Sequence, residues 1–284
     1  MTKKYDIDAL LDEVVTLPSL PSTVAHIMRL VSDPQCPLSA VAQAISADPP
    51  LAIKTLRFVN TAYYGLRQKV STIEHAVVLL GIKVIKNLAF TATVFDVMKG
   101  SVNAFFRHSV SCGMAMRVLV EAGGVGALAQ SPEEAFVCGL LHDIGKVFLG
   151  EFLPEECAQV AQLSRERGLP WYKAEQSVIG MDHAVLGARL AQKWKLPDLL
   201  VNGIAGHHEL CQCQEAGQHT VASLVSVADF LVCACAISEQ ERPLVIVTDD
   251  MWAASGLKSE DIPPILENFL TVLPSVDELM RIAA

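Results

Sequence analysis

The chain has 284 residues, 51% hydrophobic and 19% charged, long enough for one large domain or two modest ones and too apolar for a disordered chain. A formal net charge of −9 disfavours non-specific attachment to nucleic acid or anionic lipid, so neither direct DNA binding nor membrane association is expected, although a local basic pocket remains compatible. The start Met1-Thr2-Lys3-Lys4-Tyr5-Asp6 leads into Asp8 and Asp12 instead of an apolar signal core, and the longest apolar stretch, Ser223 to Ile237, contains Asp229 and is too short to cross a bilayer; a cytoplasmic location is expected.

In chain order, helical periodicity dominates. Val24, Ile27, Met28 and Val31 follow the i, i+3, i+4, i+7 spacing of one helix face, and Val78, Ile82, Ile85 and Ala89 also fall on one helix face, at i, i+4, i+7 and i+11. Short loops are marked by Leu17-Pro18-Ser19-Leu20-Pro21, Asp33-Pro34, Asp48-Pro49-Pro50 and Gly123-Gly124. A soft boundary near Gly100-Ser101 separates an N-terminal helical array, residues 10–100, from a histidine-rich segment, residues 101–240. Within that segment Ser131-Pro132-Glu133-Glu134 carries N-cap, first-turn proline and capping-box signals. The predicted helix runs through Ala135, Phe136, Cys138, Leu140 and Leu141 and ends at Gly145, with His142 and Asp143 in its last turn.

A second boundary lies at Glu239 to Pro243. Leu244 to Thr248 is β-like but short and isolated, so it reads as a loop or helix entry. The remainder of 241–284 reads as a C-terminal helical cap with Trp252, Pro263-Pro264 and an amphipathic stretch from Ile265 to Leu273. The fold class is all-α. Eight cysteines, scattered or in Cys-x-Cys pairs at Cys211/Cys213 and Cys233/Cys235, read in a reducing compartment as small buried hydrophobes. The pairs lack the Cys-x-x-Cys spacing of a soft-metal site.

The chemistry lies in a histidine and carboxylate series: His108, the doublet His142-Asp143, His183, the pair His207-His208, and Asp229. Imidazole with carboxylate suits divalent Mn, Fe, Zn, Ni or Mg, and facing helices can bring such residues together in a bundle core. Taken alone, His108 reads as a satisfied core or surface histidine, and His207-His208 as a pair favoured at a helix C-terminus. Asp229 among Val225, Val227, Ala228 and Leu231 is harder to dismiss, because a carboxylate in apolar surroundings is costly unless paired or metal-bound.

The series resembles the HD superfamily of metal-dependent phosphohydrolases, whose central motif matches Leu141-His142-Asp143-Ile144-Gly145-Lys146. The N-terminal half resembles the HDOD subgroup. That likeness is carried by Leu17-Pro18-Ser19-Leu20-Pro21, Asp48-Pro49-Pro50-Leu51, Phe58-Val59-Asn60-Thr61-Ala62-Tyr63-Tyr64-Gly65 and His75-Ala76-Val77-Val78-Leu79-Leu80-Gly81. Asp182-His183-Ala184-Val185-Leu186-Gly187-Ala188, Trp194-Lys195-Leu196-Pro197 and His207-His208 complete it, so that an HDOD domain is expected over 1–240.

The resemblance implies a helical bundle of HD type preceded by the N-terminal array. It also implies one or two divalent ions: a first held by His108, His142, Asp143 and Asp229, a second engaging His183, His207 and His208, with Asp143 bridging. In an active relative Asp143 and Lys146 are the catalytic side chains, Lys146 neutralising phosphate; the other reading of Lys146 is an exposed lysine at a helix end. The HD-GYP phosphodiesterases of cyclic di-GMP are the nearest enzymatic comparison. However, Glu209-Leu210-Cys211-Gln212-Cys213 follows His207-His208 with no Gly-Tyr-Pro motif, and Ala104 stands where three-metal relatives place a carboxylate.

Two functions follow from the resemblance. One is a bacterial signal-transduction module, a regulatory output domain that binds a signalling protein partner. The alternative is a metal-dependent phosphohydrolase acting on a nucleotide or cyclic dinucleotide. Asn60 and Tyr64, signature residues outside the metal series, read as capping and core packing rather than partner contacts.

Overall fold

The computed structural model describes residues 26–27, 30, 36–97, 103–123, 132–213, 219–235 and 245–283. Among these residues every regular element is a helix or a single 3-10 turn. No described helix is long and apolar enough to cross a membrane. The Leu17–Pro21 motif, most of the Val24–Val31 stripe, Asp33-Pro34, Ser131 and Glu239–Pro243 lie outside the described residues.

Two compact units emerge, one built from residues 16–100 and 271–284, the other chiefly from residues 101–270. The first unit contains α1 (Leu38–Ser46), α2 (Pro49–Val59), α3 (Ile73–Leu80) and α4 (Ile82–Val97). The Asp48-Pro49-Pro50-Leu51 motif is an N-cap. Asp48 accepts from the Leu51 amide at 3.2 Å, and the prolines occupy first-turn positions where no donor is needed. Thr72 caps α3 in the same way, accepting from the His75 amide.

The continuous helix expected from Val78 through Ala89 is two helices. Gly81 at φ 84 breaks the chain between them, and the predicted stripe splits: Ile85 and Ala89 are buried while Val78 is 78% exposed. The period read across the gap because two helices that share a core face mimic one.

Asn60 ends α2 and fastens the loop beyond it. Its Nδ2 donates to the carbonyls of Leu56 and Val70, and its Oδ1 accepts from the Val70 amide, each at 2.8 Å. The 3-10 turn Ala62–Tyr64 and Gly65, at φ 57, are thereby closed into a fixed loop, with Tyr64 half-buried and edge-on to Tyr63. Asn60→Ala is expected to cost about 2 kcal/mol, since two carbonyls and an amide lose their partner at once; urea denaturation followed by circular dichroism measures it.

The second unit comprises α5 (Asn103–Gly123), α6 (Pro132–Leu141), α7 (Ile144–Phe152), α8 (Pro154–Arg167), α9 (Trp171–Val178), α10 (His183–Lys193), α11 (Asp198–Gly206), α12 (His219–Ala234) and α13 (Asp249–Ser255). Residues 245–248 are irregular and lead to Thr248, which caps α13. Helix α14 (Ile262–Ala283) runs through Pro274, and the division between the units falls at Leu270/Thr271. Its last turns belong with α2: the Ala62 amide donates to Glu278, and Arg57 to the Arg281 carbonyl.

The core of the second unit is α6 and α11, buried from Ala135 to Leu141 and from Leu200 to Gly206, with α5 and α12 packed against them. A helix buried on all sides shows no polar face, which is why α6 reads as a continuous apolar run. Gly139 lets the α5 and α6 backbones nearly touch; a Cβ there would lie 2.5 Å from the Cys112 carbonyl oxygen. That crossing brings His108 of α5 near His142, which directly follows α6.

Candidate metal centre

Helix α6 ends at Leu141, and α7 begins at Ile144, so His142 and Asp143 occupy the corner between them. Gly145, expected as the stop of the first helix, is instead in the first turn of the second. It is glycine for a packing reason: a Cβ there would sit 2.0 Å from the His183 carbonyl oxygen. α7 therefore presses on the start of α10, where Asp182 is the N-cap, accepting from the Val185 amide at 2.9 Å. His183 is the first residue of that helix. His207 and His208 follow the end of α11, His108 lies on α5 and Asp229 on α12.

The structure brings all seven predicted metal-site residues together. Asp143 is at the centre, and its two oxygens face different groups. Oδ1 lies 3.0 Å from His183 Nε2 and 3.8 Å from His207 Nε2. Oδ2 lies 3.4 Å from His142 Nε2 and 3.7 Å from His108 Nε2, and accepts from Lys146 Nζ at 2.6 Å. His108 Nε2 is in turn 3.2 Å from Asp229 Oδ1, and His208 Nε2 is 3.0 Å from His183 Nε2. Ligands of one ion at about 2.0–2.1 Å lie roughly 3 to 3.5 Å from each other. The donors form two sets, each within 4.8 Å: His108, Cys112, His142 and Asp229; and Asp143, His183, His207 and His208.

Three of the histidines are held in the tautomer that a metal needs. His142 Nδ1 donates to the Gly139 carbonyl and His207 Nδ1 to the Ile204 carbonyl, both at 2.7 Å. His183 Nδ1 donates to Glu175 Oε2 at 2.6 Å, and the same oxygen accepts the His183 amide. In each case Nε2 is left facing inward. His142 Nε2 and His207 Nε2 are buried with no hydrogen-bond partner, a costly state that a cation would relieve. The orphaned nitrogens, the carboxylates and their spacing fit one or two divalent ions.

The electrostatics are those of a closed anionic pocket. Burial would raise Asp143, but His142, Lys146 and His183 hold it well below the ordinary carboxylate range. Burial and the neighbouring imidazoles push His207 down to about 3 and His208 well below its usual value. Burial opposes the charge on His183, yet Glu175 outweighs it and raises that imidazole to about 9. For Lys146, Asp143 and Asp229 overcome burial and raise the ammonium.

Glu175 and Cys112 carry no signal in the sequence. Glu175 is 1% exposed, but on the short helix α9 it reads as an ordinary surface acid. Glu175→Gln should weaken divalent-metal affinity about 10- to 100-fold, since it loosens the orientation of His183; competition against a chromophoric chelator measures it, and an unchanged affinity would contradict the assignment. Of the cysteines read as buried, Cys112 and Cys138 are buried, Cys211 is exposed and the others are half-buried, all as free thiols. Neither Cys-x-Cys pair forms part of a donor set among the described residues. Tyr172 stacks on His208 at 4.4 Å between ring centres.

Residues 17–210 match the HDOD domain family. An uncharacterized protein of Treponema pallidum (strain Nichols) is 29% identical over 207 residues, 72% of this chain, which spans only 40% of that relative's length. An HDOD domain protein of unknown function from Geobacter sulfurreducens shares the fold, with a TM-score of 0.79 at 24% identity over 96% of each chain. A protein of Shewanella amazonensis SB2B described as a candidate phosphohydrolase has a TM-score of 0.75 at 25% identity, over 97% of this chain and 98% of that one. With the family match covering more than half of its length, the chain belongs to the HDOD family.

Proposed function

We propose that this chain is a metal-centred signal-transduction module of bacteria, acting in the cytoplasm, in which one or two divalent ions tie together the helices around Asp143 and the N-terminal unit engages a signalling protein. The observation that carries this reading is the near-closure of the donor set, in which only His208 of the seven residues is half-buried. His142, His183 and His207 are fully buried, Asp143 and Asp229 are at most 4% exposed and His108 is 7% exposed. A structural ion is enclosed in this way, whereas a catalytic one keeps an open position for substrate. Partner binding is supported by Leu38, Ile53, Val78 and Leu79, large apolar side chains 49–78% exposed on α1, α2 and α3.

A second reading, a phosphohydrolase acting on a nucleotide or cyclic dinucleotide, is favoured by one observation. Lys146 keeps 21% of its side chain exposed while its ammonium sits on Asp143, a position from which it can turn to a phosphate oxygen. The bound ions would then activate a water and neutralise phosphate oxygens. A panel of nucleotides and cyclic dinucleotides, offered to the metal-loaded chain, separates the two. The module predicts turnover no higher than that of a His142→Ala/Asp143→Ala double variant. Robust turnover abolished by Asp143→Ala would overturn the module and establish the enzyme.

A further inference from the structure

Two of the ligands have a cysteine one turn later on the same helix: Cys112 follows His108 on α5, and Cys233 follows Asp229 on α12. The two thiols are not equivalent. Cys233 is half-buried and donates to Asp229 Oδ1 at 3.5 Å, and it is not among the converging donors. Cys112 is fully buried, its sulfur lies 3.5 Å from His108 Nε2, and it offers one of four atoms that lie within 4.8 Å of one another, the others coming from His108, His142 and Asp229. His142 Nε2, a member of the same set, is buried and without a hydrogen-bond partner.

A hydrogen bond to His108 accounts for one of the three groups that the Cys112 thiol faces, and leaves His142 and Asp229 unexplained. A divalent cation deprotonates a thiol that coordinates it.

We propose that Cys112 is a protein ligand of the ion held by His108, His142 and Asp229, its sulfur bonding the metal as its proton leaves for solvent. The inference rests on the metal-centre reading and extends it to the kind of metal. A donor set of two imidazoles, one carboxylate and one thiolate favours Zn2+, Co2+ or Fe2+ over Mg2+, because thiolate is soft and Mg2+ is an oxygen-seeking hard ion.

Cobalt is the probe. The full chain, with Cys211→Ser and Cys213→Ser removing the exposed Cys211 and its half-buried neighbour, is stripped of metal, kept reduced and loaded with Co2+. Expected are visible d–d bands together with a near-ultraviolet thiolate-to-cobalt charge-transfer band. Cys112→Ser should lose the charge-transfer band and keep the d–d bands, while Cys233→Ser keeps both. Cobalt d–d bands without charge transfer, or a charge-transfer band that depends on Cys233 and survives Cys112→Ser, would overturn the inference and leave the metal centre standing. No cobalt uptake in any form would remove both. Should Cys112→Ser fail to fold, X-ray absorption of the Zn2+ form carrying Cys233→Ser decides, with one sulfur at about 2.3 Å expected and a shell of only nitrogen and oxygen contradicting it.

Discussion

Gly145→Ala is expected to destabilise the unit containing residues 103–270 by about 3 kcal/mol, a fall in thermal midpoint of roughly 10 °C for a unit of this size. The new Cβ would lie 2.0 Å from the His183 carbonyl oxygen, 2.8 Å from its carbon and 3.0 Å from the Gly187 nitrogen. All three are backbone atoms, so no side-chain rotation relieves the overlap. Only a separation of α7 from α10 does, and that draws His183 away from Asp143. Metal affinity should fall along with stability. Gly150 is the internal control, being on the same helix with nothing within 4 Å of its added Cβ. Gly150→Ala should be neutral or stabilising by up to about 1 kcal/mol through helix propensity. Thermal scans of both variants by circular dichroism test the pair, and equal midpoints would contradict the close approach of the two helices.

Asp143→Ala is expected to abolish the thermal stabilisation that divalent metal confers. In the wild type a free ion at 100 to 1,000 times its dissociation constant adds about 2.7 to 4.1 kcal/mol, a rise of roughly 10 °C in midpoint. This carboxylate belongs to one donor set and borders the other, since Oδ1 faces His183 and His207 while Oδ2 faces His108 and His142. The variant also removes the acceptor of Lys146, whose ammonium sits 2.6 Å from Asp143, so the metal-free protein should be weakened as well. Midpoints measured with and without Zn2+ or Mn2+ separate the two effects. A metal-dependent rise in Asp143→Ala equal to that of the wild type would show that the ion binds elsewhere.

The all-α fold was legible because helical periodicity survives even imperfect phasing. The residues that converge at the centre are legible jointly, as a histidine and aspartate series resembling the HD motif, and Asp229 because a carboxylate in an apolar helix is costly unless paired or metal-bound. What was not legible depends on contacts distant in sequence. Gly145 looks like a helix stop, because its reason for being glycine is the backbone of His183. Gly81 gives no break signal, because the apolar residues on either side of it fall in step. Glu175 resembles a surface acid until α9 and α10 are folded together, and Cys112 resembles any small buried residue until His142 is brought opposite it by the α5–α6 crossing. Asn60 was read as capping and packing, which agrees with its bonds to Leu56 and Val70.

The central claim, that the cluster around Asp143 holds metal, is tested most directly by elemental analysis. Untagged protein, purified without chelators, is measured by inductively coupled plasma mass spectrometry beside the His142→Ala/Asp143→Ala double variant. One or two equivalents of a divalent transition metal in the wild type, and none in the variant, are predicted. No metal in either protein, even after reconstitution with Mn2+, Fe2+, Ni2+ or Zn2+, would contradict the claim.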